Sequence, residues 1–127
     1  MARILIVEDS PDNMKLFTAV LGLAGHTTTG LADGRGLIEA IEASGAEMVL
    51  MDIQLPGCDG YALLEEIRAA GQAKIPVVAL TAHAMEGDQE RVLQAGFNGY
   101  ITKPIDVRAF PAQIANLLRG RLGTELA

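Results

Sequence analysis

The sequence predicts an α/β domain in which five strand–helix units, (βα)5, form one doubly wound, five-stranded parallel sheet with helices on both faces. Short, nearly continuous apolar runs recur along the 127 residues, and amphipathic stretches with helix start and stop signals lie between them. Strands that alternate with helices in this way are joined by right-handed crossovers. The length suits one ordinary domain, and no second folded domain is expected.

Five segments are predicted strands. Residues 3–7, 48–51 and 77–80 carry almost uninterrupted apolar side chains, which is typical of parallel strands covered on both faces. Residues 26–29 and 99–101 are weaker candidates, the former because threonine favours β structure. Together these segments supply the strands of the sheet.

Capping residues mark the predicted helices. Ser10 and Pro11 suit the N-cap and the first position of the first helix, which is expected to end at Gly25. Pro111 lies inside the fifth helical stretch, so regular helix is expected to begin near it, after an irregular first turn. The other predicted helix boundaries are Gly45, Asp59, Gly96 and Asp106.

Residues 1–120 are predicted to form the whole domain. Residues 121–127 lack a core pattern and are predicted to be a short flexible C-terminal tail. Half of the residues are hydrophobic but only 4% are aromatic, so aliphatic side chains are expected to fill the core.

Charge and composition narrow the class of partner. The formal net charge of -6 argues against nucleic acid, because affinity for a phosphate backbone depends on clustered Lys and Arg. Proteins and cations are the expected partners. The single Cys58 cannot form an internal disulfide, and no apolar run has the length of a signal peptide or a membrane span. We therefore expect a cytoplasmic protein that does not associate with a membrane.

Polar side chains stand at the carboxyl ends of four predicted strands. Glu8 and Asp9 follow the first strand, Asp52 ends the third, Thr81 ends the fourth, and Lys103 follows the fifth. Ligands of open α/β sheets bind beyond the carboxyl ends of the strands. We therefore expect these five side chains to converge on one edge.

The expected cluster of carboxylates needs positive charge. Two like charges about 4 Å apart repel by roughly 4 kcal/mol at an effective dielectric constant of about 20. Mg²⁺ prefers carboxylate, carbonyl and water oxygens, so it is predicted to bind here together with Lys103. Its predicted ligands are Glu8, Asp9, Asp52 and the carbonyl of Gln54. With the charge balanced, the Asp52 carboxylate can act as a nucleophile toward phosphorus.

Four separated motifs resemble the signature of bacterial response-regulator receiver domains. They are ILIVED at residues 4–9, MDIQLP at 51–56, TA at 81–82 and KP at 103–104. The resemblance spans almost the whole chain and implies a flavodoxin-like fold. It also implies Asp52 as phosphoacceptor, Mg²⁺ at Glu8, Asp9 and Gln54, Lys103 on the phosphoryl oxygens, and Thr81 and Tyr100 as a switch pair.

The resemblance further implies a partner and an output. A sensor histidine kinase or a histidine phosphotransfer protein is expected to donate the phosphoryl group to Asp52. Most members of the family continue into an output domain, and this chain stops, so we expect a stand-alone regulator of cell-division, polarity or related signalling. It is expected to switch its binding to downstream proteins through the face formed by the fourth helix, fifth strand and fifth helix. A multiple-turnover enzyme is not expected.

Other interpretations stay open at this point. The chain can be a receiver segment of a hybrid histidine kinase. A phosphatase of the haloacid dehalogenase type also uses an aspartate after a parallel strand, but it needs a second aspartate two residues on, where this chain has Gln54. Tyr100 can simply pack against the fifth helix. His26 and His83 are expected to face solvent, and the peptide bond before Pro104 is a candidate for the cis form.

Overall fold

The apolar runs and helical stretches of the sequence fold in the predicted order. The structure, a computed structural model, describes residues 2–54, 59–71, 75–82 and 86–126, and their side chains except at 86–89 and 120–126. The strands are β1 (Arg3–Val7), β2 (Thr27–Leu31), β3 (Met48–Asp52), β4 (Val77–Thr81) and β5 (Gly99–Thr102). The helices are α1 (Pro11–Leu23), α2 (Leu37–Ser44), α3 (Gly60–Ala69), α4 (Glu86–Ala95) and α5 (Phe110–Leu126).

The described strands form one five-stranded parallel sheet in the order β2-β1-β3-β4-β5. β2 pairs with one side of β1, and the chain then crosses back so that β3 pairs with the other side of β1. The direction in which strands are added to the sheet therefore reverses between β2 and β3. This is the doubly wound arrangement that the alternation of apolar runs and helices predicts, and the predicted fold class is confirmed.

Alternation along the strands divides the core into two layers, because successive side chains point to opposite faces of a sheet. In β1, Leu5 and Val7 pack with α2, α3 and α4, whereas Ile4 and Ile6 pack with α1 and α5. The aliphatic core that the composition predicts is observed, with few rings in it. Phe17 of α1 and Phe110 of α5 meet in the second layer, with ring centroids 5.7 Å apart.

The predicted caps are present. The Ser10 hydroxyl accepts a hydrogen bond from the Asn13 amide at 3.3 Å, and the Asp59 carboxylate accepts one from the Tyr61 amide at 2.9 Å. Gly45 follows α2 with a positive φ of 65°, a conformation that glycine adopts without steric cost. Local sequence signals therefore place the helix ends correctly.

The fifth helix begins as predicted. A turn around Asp106 precedes α5, in which the amide of Phe110 donates to the Asp106 carbonyl at 2.8 Å, and Pro111 then lies in the first helical turn. The helix runs to Leu126, past the predicted end of the domain at residue 120, and the flexibility of residues 121–127 stays a prediction. Among the described residues, no helix is both long and apolar enough to cross a membrane.

Two details at the β2 edge differ from the sequence predictions. The strand starts one residue later and continues through Gly30 to Leu31, because pairing with Ile6 and Val7 extends it beyond the threonines that favour β structure. His26 is half-buried rather than fully exposed to solvent. Its Nδ1 accepts a hydrogen bond from the Ala2 amide at 3.0 Å, and burial lowers the pKa of the imidazole.

Arg68 ties three elements together at the amino-terminal edge of the sheet. From α3, its guanidinium donates to the Ile75 carbonyl at 2.6 Å and to the Asn98 side-chain oxygen at 2.9 Å. The same Asn98 oxygen accepts from the amide of Val77 in β4 at 2.9 Å. This end of α3, β4 and β5 is therefore held by one hydrogen-bond network.

Candidate functional site

The carboxyl ends of the strands bring the predicted side chains to one edge of the sheet. Asp52 is the last residue of β3, Thr81 is the last residue of β4, and Glu8 and Asp9 follow β1. Lys103 follows β5, and its amide donates to the Thr81 carbonyl at 2.8 Å. The peptide bond between Lys103 and Pro104 is cis, as the sequence suggested. Glu8, Asp52 and Thr81 are buried, and Asp9 is exposed.

Lys103 joins two of the carboxylates. Its Nζ lies 2.8 Å from Oδ2 of Asp52 and 3.1 Å from Oε1 of Glu8. The side chains of Glu8 and Asp52 are 0% and 3% exposed, and that of Lys103 is 17% exposed. Buried charges need an opposite partner, so the single ammonium holds two buried carboxylates at hydrogen-bond distance.

Backbone amides hold the other carboxylate oxygens. The amide of Gln54 donates to Oδ1 of Asp52 at 2.8 Å, and the amide of Ser10 donates to Oε2 of Glu8 at 3.0 Å. Each carboxylate therefore has both oxygens engaged and a fixed orientation. Sequence reasoning missed these donors, because a backbone amide leaves no trace in the residue type that carries it.

The pKa values of Glu8 and Lys103 follow from this burial. Burial raises the pKa of the Glu8 carboxyl, and the hydrogen bonds from Ser10 and Lys103 offset the rise only in part. Burial alone would lower the pKa of Lys103, but the hydrogen bonds and negative charges of Asp52 and Glu8 outweigh it and raise that pKa. Lys103 therefore carries its positive charge throughout the neutral pH range.

The same edge offers oxygen ligands to a cation. One carboxylate oxygen from each of Glu8, Asp9 and Asp52 lies within 4.8 Å of the others. Three carboxylates exceed the charge of one ammonium, and a hard divalent cation supplies the missing positive charge and accepts oxygen ligands. The donor set therefore fits such a cation. Gln54 meets the site through its amide, and ligation by its carbonyl stays a prediction.

Tyr100 lies on the sheet face that α2, α3 and α4 cover. The alternative that it packs against α5 is wrong, because its neighbour Gly99 faces α5 and successive side chains in a strand point to opposite faces. Tyr100 pairs with Ala79, two residues before Thr81, so Tyr100 and Thr81 belong to the same face of the sheet. A switch that couples them is therefore geometrically possible, and their roles stay predictions. His83, Cys58 and the motif residues 55–56 lie outside the described residues.

Residues 4–115 match the family model of the response regulator receiver domain, and the chain belongs to this family of two-component signalling domains. The polar-differentiation response regulator DivK of Brucella anthropi is 37% identical over 116 residues, which cover 91% of this chain and 94% of DivK. The sensor protein GacS of Pseudomonas syringae pv. syringae is 39% identical over 110 residues, which cover 84% of this chain but only 12% of GacS.

Solved structures agree with this assignment. The receiver domain of the sensor histidine kinase PA1611 from Pseudomonas aeruginosa, described with a magnesium ion coordinated in its active site cleft, is 38% identical with a TM-score of 0.79. That likeness covers 96% of this chain and 98% of the PA1611 domain. The chemotaxis protein CheY4 of Vibrio cholerae has a TM-score of 0.84 at 22% identity, covers 92% of this chain and 98% of its own, and shows the shared fold.

Replacing Lys103 with methionine is expected to lower the free energy of unfolding at neutral pH, because Glu8 and Asp52 would stay buried without their ammonium. Breaking a buried ion pair costs roughly 3–5 kcal/mol. A loss near the lower end of that range is expected, since Lys103 is 17% exposed. Urea unfolding of both proteins without divalent cations measures the difference.

Lys15→Met is the matched control, because Lys15 is an exposed lysine of α1. The raised pKa of Lys103 means that its stabilising effect is complete below the ordinary value of 10.5 and is lost as pH rises through the folded-state pKa. The stability difference between wild type and Lys103→Met should therefore shrink at alkaline pH. Equal effects of the two substitutions at neutral pH would contradict the ion-pair interpretation.

Proposed function

We propose that Asp52 of this domain accepts a phosphoryl group from a phosphohistidine of a donor protein. The modification changes the affinity of the domain for partner proteins. One observation carries the proposal: Nζ of Lys103 lies 2.8 Å from the Asp52 carboxylate, at an edge where Glu8 and Asp9 complete an acidic cluster. A sensor histidine kinase or a histidine phosphotransfer protein is the proposed donor. The names of the GacS and PA1611 relatives, both sensor kinases, support that choice.

The transfer depends mainly on positioning and electrostatics. A carboxylate has about four acceptor sites, and Asp52 uses two of them for Lys103 and the Gln54 amide, so it keeps lone pairs for attack. An oxygen of Asp52 forms a bond to phosphorus as the bond from phosphorus to the donor imidazole nitrogen breaks. The electron pair of the broken bond stays on that nitrogen. Lys103 is placed to neutralise charge on the phosphoryl oxygens.

Mg²⁺ is the proposed cofactor. Glu8, Asp9, Asp52 and the Gln54 carbonyl would hold it. When bound, the ion balances the negative charge of the transferring phosphoryl group. The magnesium site of the related PA1611 receiver supports this choice.

We propose a regulator rather than an enzyme that hydrolyses outside substrates. Gln54 stands two residues after Asp52, and its amide cannot donate or accept a proton as an aspartic acid would. A single phosphoryl group held on Asp52 fits this site better than repeated turnover.

Two signalling roles are compatible with phosphoryl transfer to Asp52. The near-complete coverage of DivK, 94%, supports a regulator that acts through downstream proteins in polarity or cell-division signalling. The similarity to GacS supports the second candidate, a receiver segment of a hybrid kinase, in which the phosphoryl group passes onward. Both roles require Asp52 as the acceptor and a cytoplasmic donor.

The proposed switch connects Asp52 to the face formed by α4, β5 and α5. A phosphoryl group on Asp52 draws in the Thr81 hydroxyl, and Tyr100 turns toward the space that Thr81 leaves. Lys103 already bonds Asp52, so Thr81 supplies most of the new interaction. A hydrogen bond to a charged group contributes roughly 1.5–3 kcal/mol, and inverting a 1:99 population takes about 5.5 kcal/mol. Phosphorylation should therefore shift the equilibrium about 10- to 150-fold without complete conversion.

Asp52→Asn is expected to abolish phosphorylation by acetyl phosphate and Mg²⁺ while keeping the fold, because the change removes the nucleophilic charge from a side chain of the same shape. Intact mass measurement gives the gain of one phosphoryl group in wild type. Asp59→Asn is the control, because asparagine also caps helices. Stoichiometric acid-labile phosphate on the Asp52 variant would refute the proposal.

Asp9→Ala is expected to weaken Mg²⁺ binding by about tenfold or more, because a hard cation loses a charged oxygen ligand. Titration of the unphosphorylated proteins with Mg²⁺, followed by NMR, measures the affinity. Asp12→Ala removes the same charge from an exposed position three residues further along the chain. Equal Mg²⁺ affinity of the Asp9 variant and wild type would count against this ligand.

Thr81→Ala is expected to bind the phosphoryl mimic beryllofluoride but to lose most of the response of Tyr100, because the hydroxyl that follows the phosphoryl group is gone. Fluorine NMR reports binding of the mimic, and the ring signals of Tyr100 report the switch. Thr28→Ala, at a half-buried threonine of β2, is the control. An undiminished Tyr100 response in the Thr81 variant would exclude this coupling.

A further inference from the structure

Gly60, the first residue of α3, lies directly against the chain segment that carries Asp52. A Cβ atom on Gly60 would stand 2.7 Å from Cα of Ile53 and 3.0 Å from its Cβ. Carbon atoms pack best at about 3.5–4.0 Å, so a methyl group here must move residue 60 and Ile53 apart by roughly 1 Å. Gly60 is not among the glycines with positive φ, so space rather than backbone conformation requires glycine.

The segment that Gly60 contacts is held on both sides. The amide of Ile53 donates to the Leu80 carbonyl of β4 at 3.2 Å. The next amide, that of Gln54, donates to Oδ1 of Asp52 at 2.8 Å, and Lys103 holds Oδ2. A displacement of Ile53 therefore changes the contacts of the Asp52 carboxylate.

The helix on the other side of the contact is anchored as well. The Asp59 cap holds its first turn, and Leu63, Leu64 and Ile67 are buried in the core layer. The position of α3 is therefore fixed, and its first turn limits how far residues 52–54 can move toward it. A side chain on residue 60 would therefore clash with the backbone of Ile53 and displace it, rather than displace the helix.

We propose that Gly60 is a positioning residue for phosphoryl transfer: the absence of a side chain lets residues 52–54 lie close to α3, where the Asp52 carboxylate meets both Lys103 and the Gln54 amide. The inference rests on the proposed role of Asp52. Misplacing a reacting group by about 1 Å can cost about 100-fold in rate. Gly60→Ala is therefore expected to slow phosphorylation of Asp52 by about 10- to 100-fold.

Gly22→Ala provides the matched control. Gly22 lies within α1, and a Cβ atom on it would have nothing within 4 Å. Alanine favours helix over glycine, so this change should stabilise the fold slightly and leave the phosphorylation rate unchanged. Gly60→Ala would behave in the same way if helix propensity were all that mattered at residue 60.

The experiment compares wild type, Gly60→Ala and Gly22→Ala with acetyl phosphate and Mg²⁺ at a temperature where all three are folded. Amide hydrogen exchange without Mg²⁺ or phosphoryl donor provides a second readout. The Gly60 variant should lose protection at Gln54 while the amides of β1 and α5 keep theirs. Should Gly60→Ala fail to fold, Ile53→Ala, which removes the side chain that packs against Gly60, should show the same local loss and a several-fold slower reaction.

A slow reaction with local loss of protection at Gln54 supports the inference. A rate equal to that of Gly22→Ala, or a loss of protection spread evenly over the domain, overturns it and leaves Asp52 as phosphoacceptor. Absence of phosphorylation in wild type contradicts the proposed function instead. In that case the exchange pattern at Gln54 still decides whether Gly60 positions the segment.

Discussion

The ion pair of one ammonium with two buried carboxylates is the interaction on which the arrangement of the site depends. Glu8 and Asp52 are brought together because β1 and β3 are neighbours in the sheet although they are not consecutive in the chain. Lys103 lies directly after β5, which is separated from β3 by β4. Neighbouring strands lie about 4.8 Å apart, so only a long cationic side chain reaches across β4 to the carboxylate. Thr81, at the end of β4, lies in the strand that Lys103 crosses.

This geometry links the proposed phosphoacceptor, Asp52, to one face of the sheet. The site lies at the carboxyl edge of the sheet, and Thr81 and Tyr100 share the face that α4 covers together with α2 and α3. Buried layers of this kind are close-packed, so a change at Asp52 cannot be absorbed by empty space. The proposed phosphorylation of Asp52 would therefore displace side chains that adjoin the site.

Much of the fold and the choice of site residues could be predicted from the sequence, because strands buried on both faces and capped helices have strong local signals. The convergence of Glu8, Asp52 and Lys103 followed from their places at strand ends. The backbone donors of Ser10 and Gln54 and the close contact at Gly60 could not be predicted, because they depend on backbone placement in three dimensions. The face that Tyr100 occupies required the register of β5.

The hydrogen-bond network of Arg68 lies at the opposite end of the same strands from Asp52. Arg68, at the end of α3, donates to the Ile75 carbonyl before β4 and to the side chain of Asn98 before β5. The Asn98 side chain also accepts from the amide of Val77, the first residue of β4. Hydrogen bonds of Arg68 and Asn98 therefore hold the strands at one end, and the proposed phosphoacceptor, Asp52, lies at the other end. Rearrangements that begin at Asp52 should have their largest amplitude there and fade along the strands toward Arg68.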